Sequence, residues 1–260
     1  MVGLVRRVPG VRDALALAWR DRAWGRPAGV APVRLGDGRV LDCDLDDHTQ
    51  RKMALGSFER AETRLCRKLL RPGDLFVDVG AHIGWFATLA AVLVGPEGRV
   101  HAVEPFPSSF ARLRKNASRS GLANLMPWPV AAGDRFGTAR VAAQEGSDSG
   151  SVTTLRGQGV PVPRMPLDSL VDEDRPVRLL KIDVEGYEPA VLAGAPGLLA
   201  RTDAVLVELN RPGLASQGER VASVTGPLRE AGFTDQREIL PAYSRLRSAG
   251  EVTNLLALRH

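Results

Sequence analysis

The residues able to do chemistry in this 260-residue chain gather in two short stretches. The first is Phe76 to Ala87, FVDVGAHIGWFA, where Asp78 ends an apolar run and Gly80, Ala81, His82 and Gly84 follow. A strand, a tight glycine turn and a helix start are how an α/β protein builds a pocket for a nucleotide-type ligand. The glycines let the backbone approach such a ligand, and Asp78 can orient the turn and meet an ammonium group. Glu104, about 20 residues beyond Gly84, ends the next strand and can accept both hydroxyls of a ribose. Pro105 and Phe106 would wall the ribose and base, with Ala131 beside the base and Asp134 at its edge. The spacing is D-x-G-x-x-x-G, not the G-x-G-x-x-G of a dinucleotide site, which points to S-adenosylmethionine (SAM). The glycines alone fit an ordinary turn equally well, and adding Glu104 does not separate SAM from NAD.

The second stretch is Leu179 to Ala195, LLKIDVEGYEPAVLAGA. In a strand Lys181 and Asp183 point to the same side. Glu185 follows, and Glu188 falls at a helix start, where an anion suits the dipole and a purely structural role suffices. Asp183 lies at the mouth of a central strand, where a reacting group belongs, and it is the first candidate for a catalytic base, with Lys181 tuning its charge. His48 is the second candidate, though a solvated loop histidine explains it as well. Asp183, Glu208 and Asn210 could together offer hard oxygen ligands to Mg²⁺, a layout that resembles that of magnesium-dependent catechol-type O-methyltransferases. The preferred alternative is that Glu208 and Asn210 hydrogen-bond substrate or loop backbone, without a metal.

These groups need a scaffold that brings strand ends together. From residue 75 strands and helices alternate: strands at 75–79, 99–103, 125–131, 178–182 and 203–209, and helices near 83–94, 108–120, 188–199 (interrupted at Pro196) and 219–231 (bent or shortened at Gly226-Pro227). Two further strands, 233–239 and 252–258, are close enough to pair as a hairpin. Residues 134–175 read as irregular, with strand-like pieces at 138–143 and 151–155. Such alternation predicts an α/β fold: a Rossmann-like, mostly parallel sheet of seven strands, one reversed by the C-terminal antiparallel hairpin. Ligands in such sheets bind at the carboxyl ends of the strands, where Asp78, Glu104, Asp183 and Glu208 all fall.

Ahead of the sheet, residues 1–70 read as an N-terminal extension and lid, and 71–260 as the main domain. Leu15 and Trp19 suggest a short amphipathic helix, the alternative being a poorly ordered lead-in; the run ALALAW is too interrupted by Arg and Asp for a secretion signal. A hairpin is expected over 33–45 with its turn at Gly36-Asp37-Gly38, then a loop or short helix over 48–56, and a helix capped by Ser57 carrying Phe58, Ala61, Leu65 and Leu69. Segments 33–57 and 134–165 would wall the acceptor.

The net charge of +5 is carried by scattered Arg, with Lys only at 52, 68, 115 and 181. No basic stripe interleaved with aromatics and no Pro-Pro-Tyr-like base-flipping motif occurs, so a nucleic-acid partner is not expected. No apolar run reaches the ~18 residues of a membrane span, and two cysteines, Cys43 and Cys66, suit a reducing, cytoplasmic setting. A homodimer is compatible with the sequence.

VDVGAHIGWFA together with LLKIDVEGYEPAVLAGA resembles the FkbM family of SAM-dependent methyltransferases. Phe58-Glu59 ahead of Pro72-Gly73-Asp74, the run PLDSLVD at 166–172 and Asn254 add to the resemblance, which covers roughly residues 50–258. It implies a Rossmann-like class I methyltransferase fold, SAM as methyl donor, and O-methylation of a hydroxyl on a sugar or secondary metabolite, as in antibiotic and other natural-product biosynthesis. Asp78, Gly80, Gly84 and Glu104 would bind SAM, and Lys181, Asp183 and Glu185 would lie at the reaction edge. His82 stands where the family commonly has Asn, so its hydrogen bonds would depend on tautomer and pH. The alternatives are N-methylation of a small amine, an NAD-type oxidoreductase, and a non-catalytic binding protein that kept the fold.

Overall fold

The computed structural model describes residues 29–143, 152–153, 159–239 and 251–259; the helix expected around Leu15 and Trp19 lies outside them. Strands β1 (Val30–Arg34) and β2 (Val40–Asp44) form the expected hairpin. Helix α1 (His48–Ala54) starts at Asp47, whose carboxylate accepts from the Gln50 amide at 2.7 Å and so satisfies a free helix N–H. Helix α2 (Arg60–Leu69) departs from expectation at its start. Ser57 hydrogen-bonds back to the Lys52 carbonyl, and the capping position falls to Glu59, in the left-handed region with φ 38° and with no side-chain cap bond.

The core then alternates as expected: β3 (Leu75–Val79), α3 (Trp85–Val94), β4 (Arg99–Val103), α4 (Pro107–Arg119) and β5 (Leu125–Trp128). β5 is shorter than the sequence suggested. Pro129 has no amide to continue the ladder, and Ala131–Ala132 (β6) joins a second sheet. That sheet, ordered β6-β9-β7-β8, also takes β7 (Gly137–Ala143), β8 (Val152–Thr153) and β9 (Val160–Met165). β9 was not expected, because Pro161 and Pro163 argue against a strand; being two apart, their missing amides lie on one edge. A short α5 (Leu167–Leu170) returns the chain to β10 (Val177–Ile182). Pro196 splits the next helix into α6 (Glu188–Ala193) and α7 (Pro196–Ala200). Then come β11 (Ala204–Asn210), α8 (Arg211–Ser216), α9 (Ala222–Glu230), β12 (Asp235–Ile239) and β13 (Val252–Leu258).

The main sheet runs β12-β13-β11-β10-β3-β4-β5. Its central pairs are parallel, and β13 is antiparallel to both β11 and β12. Side-chain alternation then decides what faces what. Leu75, Val77, Val79, Leu180, Ile182, Val205 and Val207 pack into one core with α6–α9. Phe76, Leu179, Leu206 and Ala102 pack into the other, with the hairpin, α2 and α3. Continuing the alternation, Asp78, Glu104, Lys181, Asp183, Glu208 and Asn254 all fall on the second face, the one covered by the hairpin, α2 and α3. Arg39 ties the hairpin to that layer: buried, it donates to the Trp85 carbonyl at 2.7 Å and Thr88 Oγ1 at 3.0 Å, and is paired with Asp37. Among the described residues no helix is long and apolar enough to cross a membrane, and both cysteines are buried thiols.

Candidate active site

A cavity of about 300 Å³ opens over the carboxyl ends of β3, β4, β10 and β11. Of the residues singled out in the sequence, Asp78, Gly80, Ala81, His82, Glu104, Pro105, Ala131, Lys181, Asp183, Glu185 and Glu208 line it. Register explains the inner group: Asp78 on β3 lies opposite Lys181 on β10.

Gly80 has φ +84°, and a Cβ there would sit 1.8 Å from the Asp183 carbonyl oxygen. Its missing side chain therefore lets β10 end against the turn and sets where Asp183 stands. Gly84, outside the cavity lining, starts α3 with φ +92°, and its absent Cβ makes room for Leu113. Between them His82 is itself left-handed, φ 50°. This explains why Asn or His fits there, since both enter that region more readily than most residues. The His82 amide donates to Glu104 Oε2 at 2.7 Å and the Phe106 amide to Oε1 at 2.8 Å. Each carboxylate oxygen keeps a further lone pair, enough for a pair of ribose hydroxyls. Burial pushes Glu104 up to about 7 despite these two amides.

Burial, followed by the charge of Arg112, pushes His82 down to about 4, so its imidazole is neutral at pH 7. The unfolded chain takes up that proton near the ordinary histidine value, so falling pH favours unfolding until the folded value is reached. His82→Asn is expected to melt higher than wild type by a margin that widens as pH falls from about 6.5 to 4 and is constant above. Thermal melts across that range check this; a margin independent of pH would show that His82 does not titrate this way.

Asp78 is buried, and neither carboxylate oxygen has a hydrogen-bond partner; the Ala87 amide acts on it too weakly to count as one. Desolvation raises it to about 6, with Lys181 opposing. A buried carboxylate without partners is a seat for a cation from outside the chain. Lys181, also buried, donates to Asp183 Oδ2 at 2.8 Å, and its ammonium lies 4.8 Å from the centre of the Phe86 ring. Burial works against its charge, but Asp183, Glu59 and Asp78 outweigh that and hold it protonated.

Glu59 was not singled out as a site residue. Its carboxylate and those of Asp183 and Glu208 offer oxygens within 4.8 Å of one another. Desolvation raises Glu59 to about 8, and desolvation with neighbouring Asp183, Glu185 and Glu59 raises Glu208 well above its ordinary value. The Phe58-Glu59 pair was visible as part of the family resemblance, without a role; nothing local shows that the helix end meets two strand ends. Trp85, Phe86, Met53 and Tyr187 supply apolar wall.

Other candidates stand apart from the lining. Asn210 caps α8, accepting from the Gly213 amide at 2.8 Å and donating to Glu185. Glu185, which does line the cavity, is left-handed, φ 56°. Glu188 is fully buried and closes the loop below, accepting from the Gly186 amide at 3.0 Å. His48 begins α1 beside Thr49, which does line the cavity. Phe106 packs against the small cluster of Ala131, Ala139, Val141 and Val162, and Asp134 pairs with Arg135 and Arg164.

The seven-strand order, with one antiparallel strand next to the edge and a ligand turn after β3, is that of class I SAM-dependent methyltransferases. A Streptococcus mutans protein assigned as a methyltransferase and solved with S-adenosylhomocysteine has this fold, with a TM-score of 0.50 at 10% identity over 77% of this chain and 97% of that one. The sequence profile of the methyltransferase FkbM domain matches residues 78–234, and the chain belongs to that family. It is 56% identical over 54 residues to the 31-O-demethyl-FK506 methyltransferase FkbM of Streptomyces tacrolimicus, covering 21% of this chain and 20% of that protein. It is 29% identical over 171 residues to the hexuronic acid methyltransferase AglP of Haloferax volcanii, covering 58% and 63%. The chain thus spans about a fifth and about three fifths of the lengths of these two relatives.

Proposed function

We propose that the protein is a SAM-dependent methyltransferase that acts on a hydroxyl of a small sugar-like or natural-product acceptor. The observation that carries this reading is Asp78, a buried carboxylate with no partner, facing the same cavity as Glu104 and the Lys181–Asp183 pair. The family and the names of its relatives support methyl transfer, and the 31-O-demethyl-FK506 enzyme supports an oxygen acceptor in natural-product chemistry.

When bound, SAM supplies a methyl carbon already activated by a sulfonium. The chain's own part is alignment, exclusion of water and handling of a proton. Asp78 would receive the ammonium of the methionine end, and Glu104 the ribose hydroxyls. The turn at Gly80, Ala81 and His82 would offer its backbone, and the small Ala131 and Ala132 would leave space for the adenine. Trp85, Phe86 and Met53 keep the reacting centre dry. Asp183, at the mouth of β10 and held by Lys181, orients the acceptor hydroxyl and receives or shares its proton; His48 is the second candidate for that role. Lys181 already supplies a cation next to Asp183, which supports a reaction without metal; activity surviving exhaustive EDTA would agree. Loss on EDTA with recovery on added Mg²⁺ would instead place an ion on the carboxylates. An amine acceptor is the second reading, favoured by the carboxylates of Glu59, Asp183 and Glu208, which would hold its ammonium form.

Calorimetric titration with SAM and with NADH tests the cofactor, and label transfer from methyl-labelled SAM to a panel of glycosides, hydroxylated macrolides and amines tests the acceptor. Binding of NADH in place of SAM would sink the reading. Asp183→Asn is expected to lower turnover by about 10²–10⁴-fold with SAM affinity within about threefold of wild type. Turnover left intact would remove Asp183 from the proton path.

A further inference from the structure

The proposed function uses Tyr187 only as wall, yet its hydroxyl is held by a cation. Arg164 Nη1 donates to the Tyr187 oxygen at 3.3 Å, and the same nitrogen lies 3.5 Å from Asp134 Oδ1. Register places this arginine. On β9 it stands opposite Ala131 of β6 and Gly137 of β7, and it shares a face with Val162, two residues earlier. Val162 packs with Ala131 and Val141, both of which line the cavity. Gly133 makes the room: a Cβ there would lie 2.8 Å from Arg164 Cδ and 3.5 Å from Tyr187 Cε1. Tyr187 therefore borders the end of the cavity formed by Ala131 and Ala132, where the purine of SAM would sit.

Arg164 is a costly choice for a merely structural tie. Its side chain is 15% exposed, and its Nε is buried with no hydrogen-bond partner. A guanidinium loses much of its hydration there, and among the described residues one long hydrogen bond and one long ion pair offset the loss. What the hydrogen bond does is fix a rotor. A phenolic oxygen accepts on one side and donates on the other. The Arg164 N–H takes one side and keeps the hydroxyl's own proton off it. Among the described residues no group accepts that proton, whereas a tyrosine hydroxyl in an apolar wall normally finds a partner.

We infer that Tyr187 is a specificity-determining residue for the cofactor's base: its hydroxyl donates to an acceptor nitrogen of the purine, and Arg164 is the positioning residue that aims it. The inference rests on the methyltransferase reading. Adenine offers its ring nitrogens N1, N3 and N7 as acceptors, and a base with carbon at the nitrogen that Tyr187 serves leaves the hydroxyl unpaired, which is where discrimination arises. The second sheet then has a task in the site. β6 supplies small residues beside the purine, and β9 supplies the cation behind its donor.

The test is calorimetric titration of the full chain with S-adenosylhomocysteine and with its 1-deaza, 3-deaza and 7-deaza analogues, each of which replaces one ring nitrogen by C–H. Tyr187→Phe is expected to weaken S-adenosylhomocysteine by about 3–10-fold, the worth of one hydrogen bond. Arg164→Met is expected to weaken it by a similar factor, and the double variant to lie within about twofold of either single one, because the two residues act as a unit. Arg164→Lys, which keeps a donor to the hydroxyl, should fall closer to wild type than Arg164→Met. With one of the three analogues, the one lacking the nitrogen that Tyr187 serves, wild type and Tyr187→Phe should bind within about twofold of each other. A structural role for the pair would weaken every ligand alike. Thermal melts show which variants fold, and Tyr187→Phe, which removes one oxygen and keeps the ring, carries the reading if Arg164→Met does not. Unchanged affinity in either folded single variant, an equal loss with every analogue, or losses that add in the double variant overturn the inference. Failure of wild type to bind SAM and S-adenosylhomocysteine at all overturns the methyltransferase reading itself.

Discussion

Gly80→Ala is expected to abolish measurable SAM binding and to lower stability by roughly 2–5 kcal/mol, because overpacking and a left-handed backbone for alanine act together. The new Cβ would lie 1.8 Å from the Asp183 carbonyl oxygen, and backbone on both sides has little room to give. Relief requires the end of β10 to move away from the turn, taking Asp183 with it. A displacement of about 1 Å at a reacting group can cost roughly 10²-fold. Gly84→Ala is the comparison. Its Cβ meets the Leu113 Cδ1 atom at 2.6 Å, the far end of a side chain that can rotate. It should cost stability but leave Asp183 in place. Denaturation curves and SAM titration on both variants decide; normal SAM affinity in Gly80→Ala would show that the turn and β10 do not depend on each other.

Lys181→Met is the second variant with a large expected effect. Lys181 is the cation buried among Asp78, Asp183, Glu59 and Glu208, and removing one partner from a buried charge cluster costs about 3–5 kcal/mol. The loss depends on pH, and its sign follows from the neighbours. Asp78, Glu59 and Glu208 already have raised values, and Lys181 is the group that holds them down. Without it they rise further, so the folded variant keeps protons that the unfolded chain has released. Carboxylates of that kind stabilise below their unfolded values and lose this as pH rises through the folded ones. Lys181→Met should therefore be nearer to wild type at about pH 5 than at about pH 8 in chemical denaturation. An equal deficit at both would mean that packing on Phe86, not charge, is what Lys181 contributes.

The sequence made the strands and their roles legible where local patterns suffice. Asp78, Glu104, Asp183 and Glu208 end apolar runs, and period-two alternation puts them on one face of the sheet, as found. The hairpin turn at Gly36-Asp37-Gly38 and the split at Pro196 were equally local. What escaped was set by partners far along the chain. The reason for Gly80 is a carbonyl more than a hundred residues later, which no turn rule contains. Glu59 is brought to the site by the packing of α2; the Phe58-Glu59 pair marked it as part of the family resemblance, but no periodicity in α2 shows where it would face. Asn210 escaped differently: Asn followed two residues later by Pro, as in Asn210-Arg211-Pro212, is a helix-start signature. Its position after a run of strand residues drew attention to ligands instead of capping.

The bond between Asn254 and Glu62 joins residues 192 apart, running from β13 to the buried side of α2 at 2.9 Å. The Trp85 indole adds a second tie, donating to Thr63 at 3.2 Å. These make α2 part of the same rigid body as the sheet. Glu59, at the head of that helix, then has its place in the cavity wall set once, at folding, and not again each time a ligand arrives.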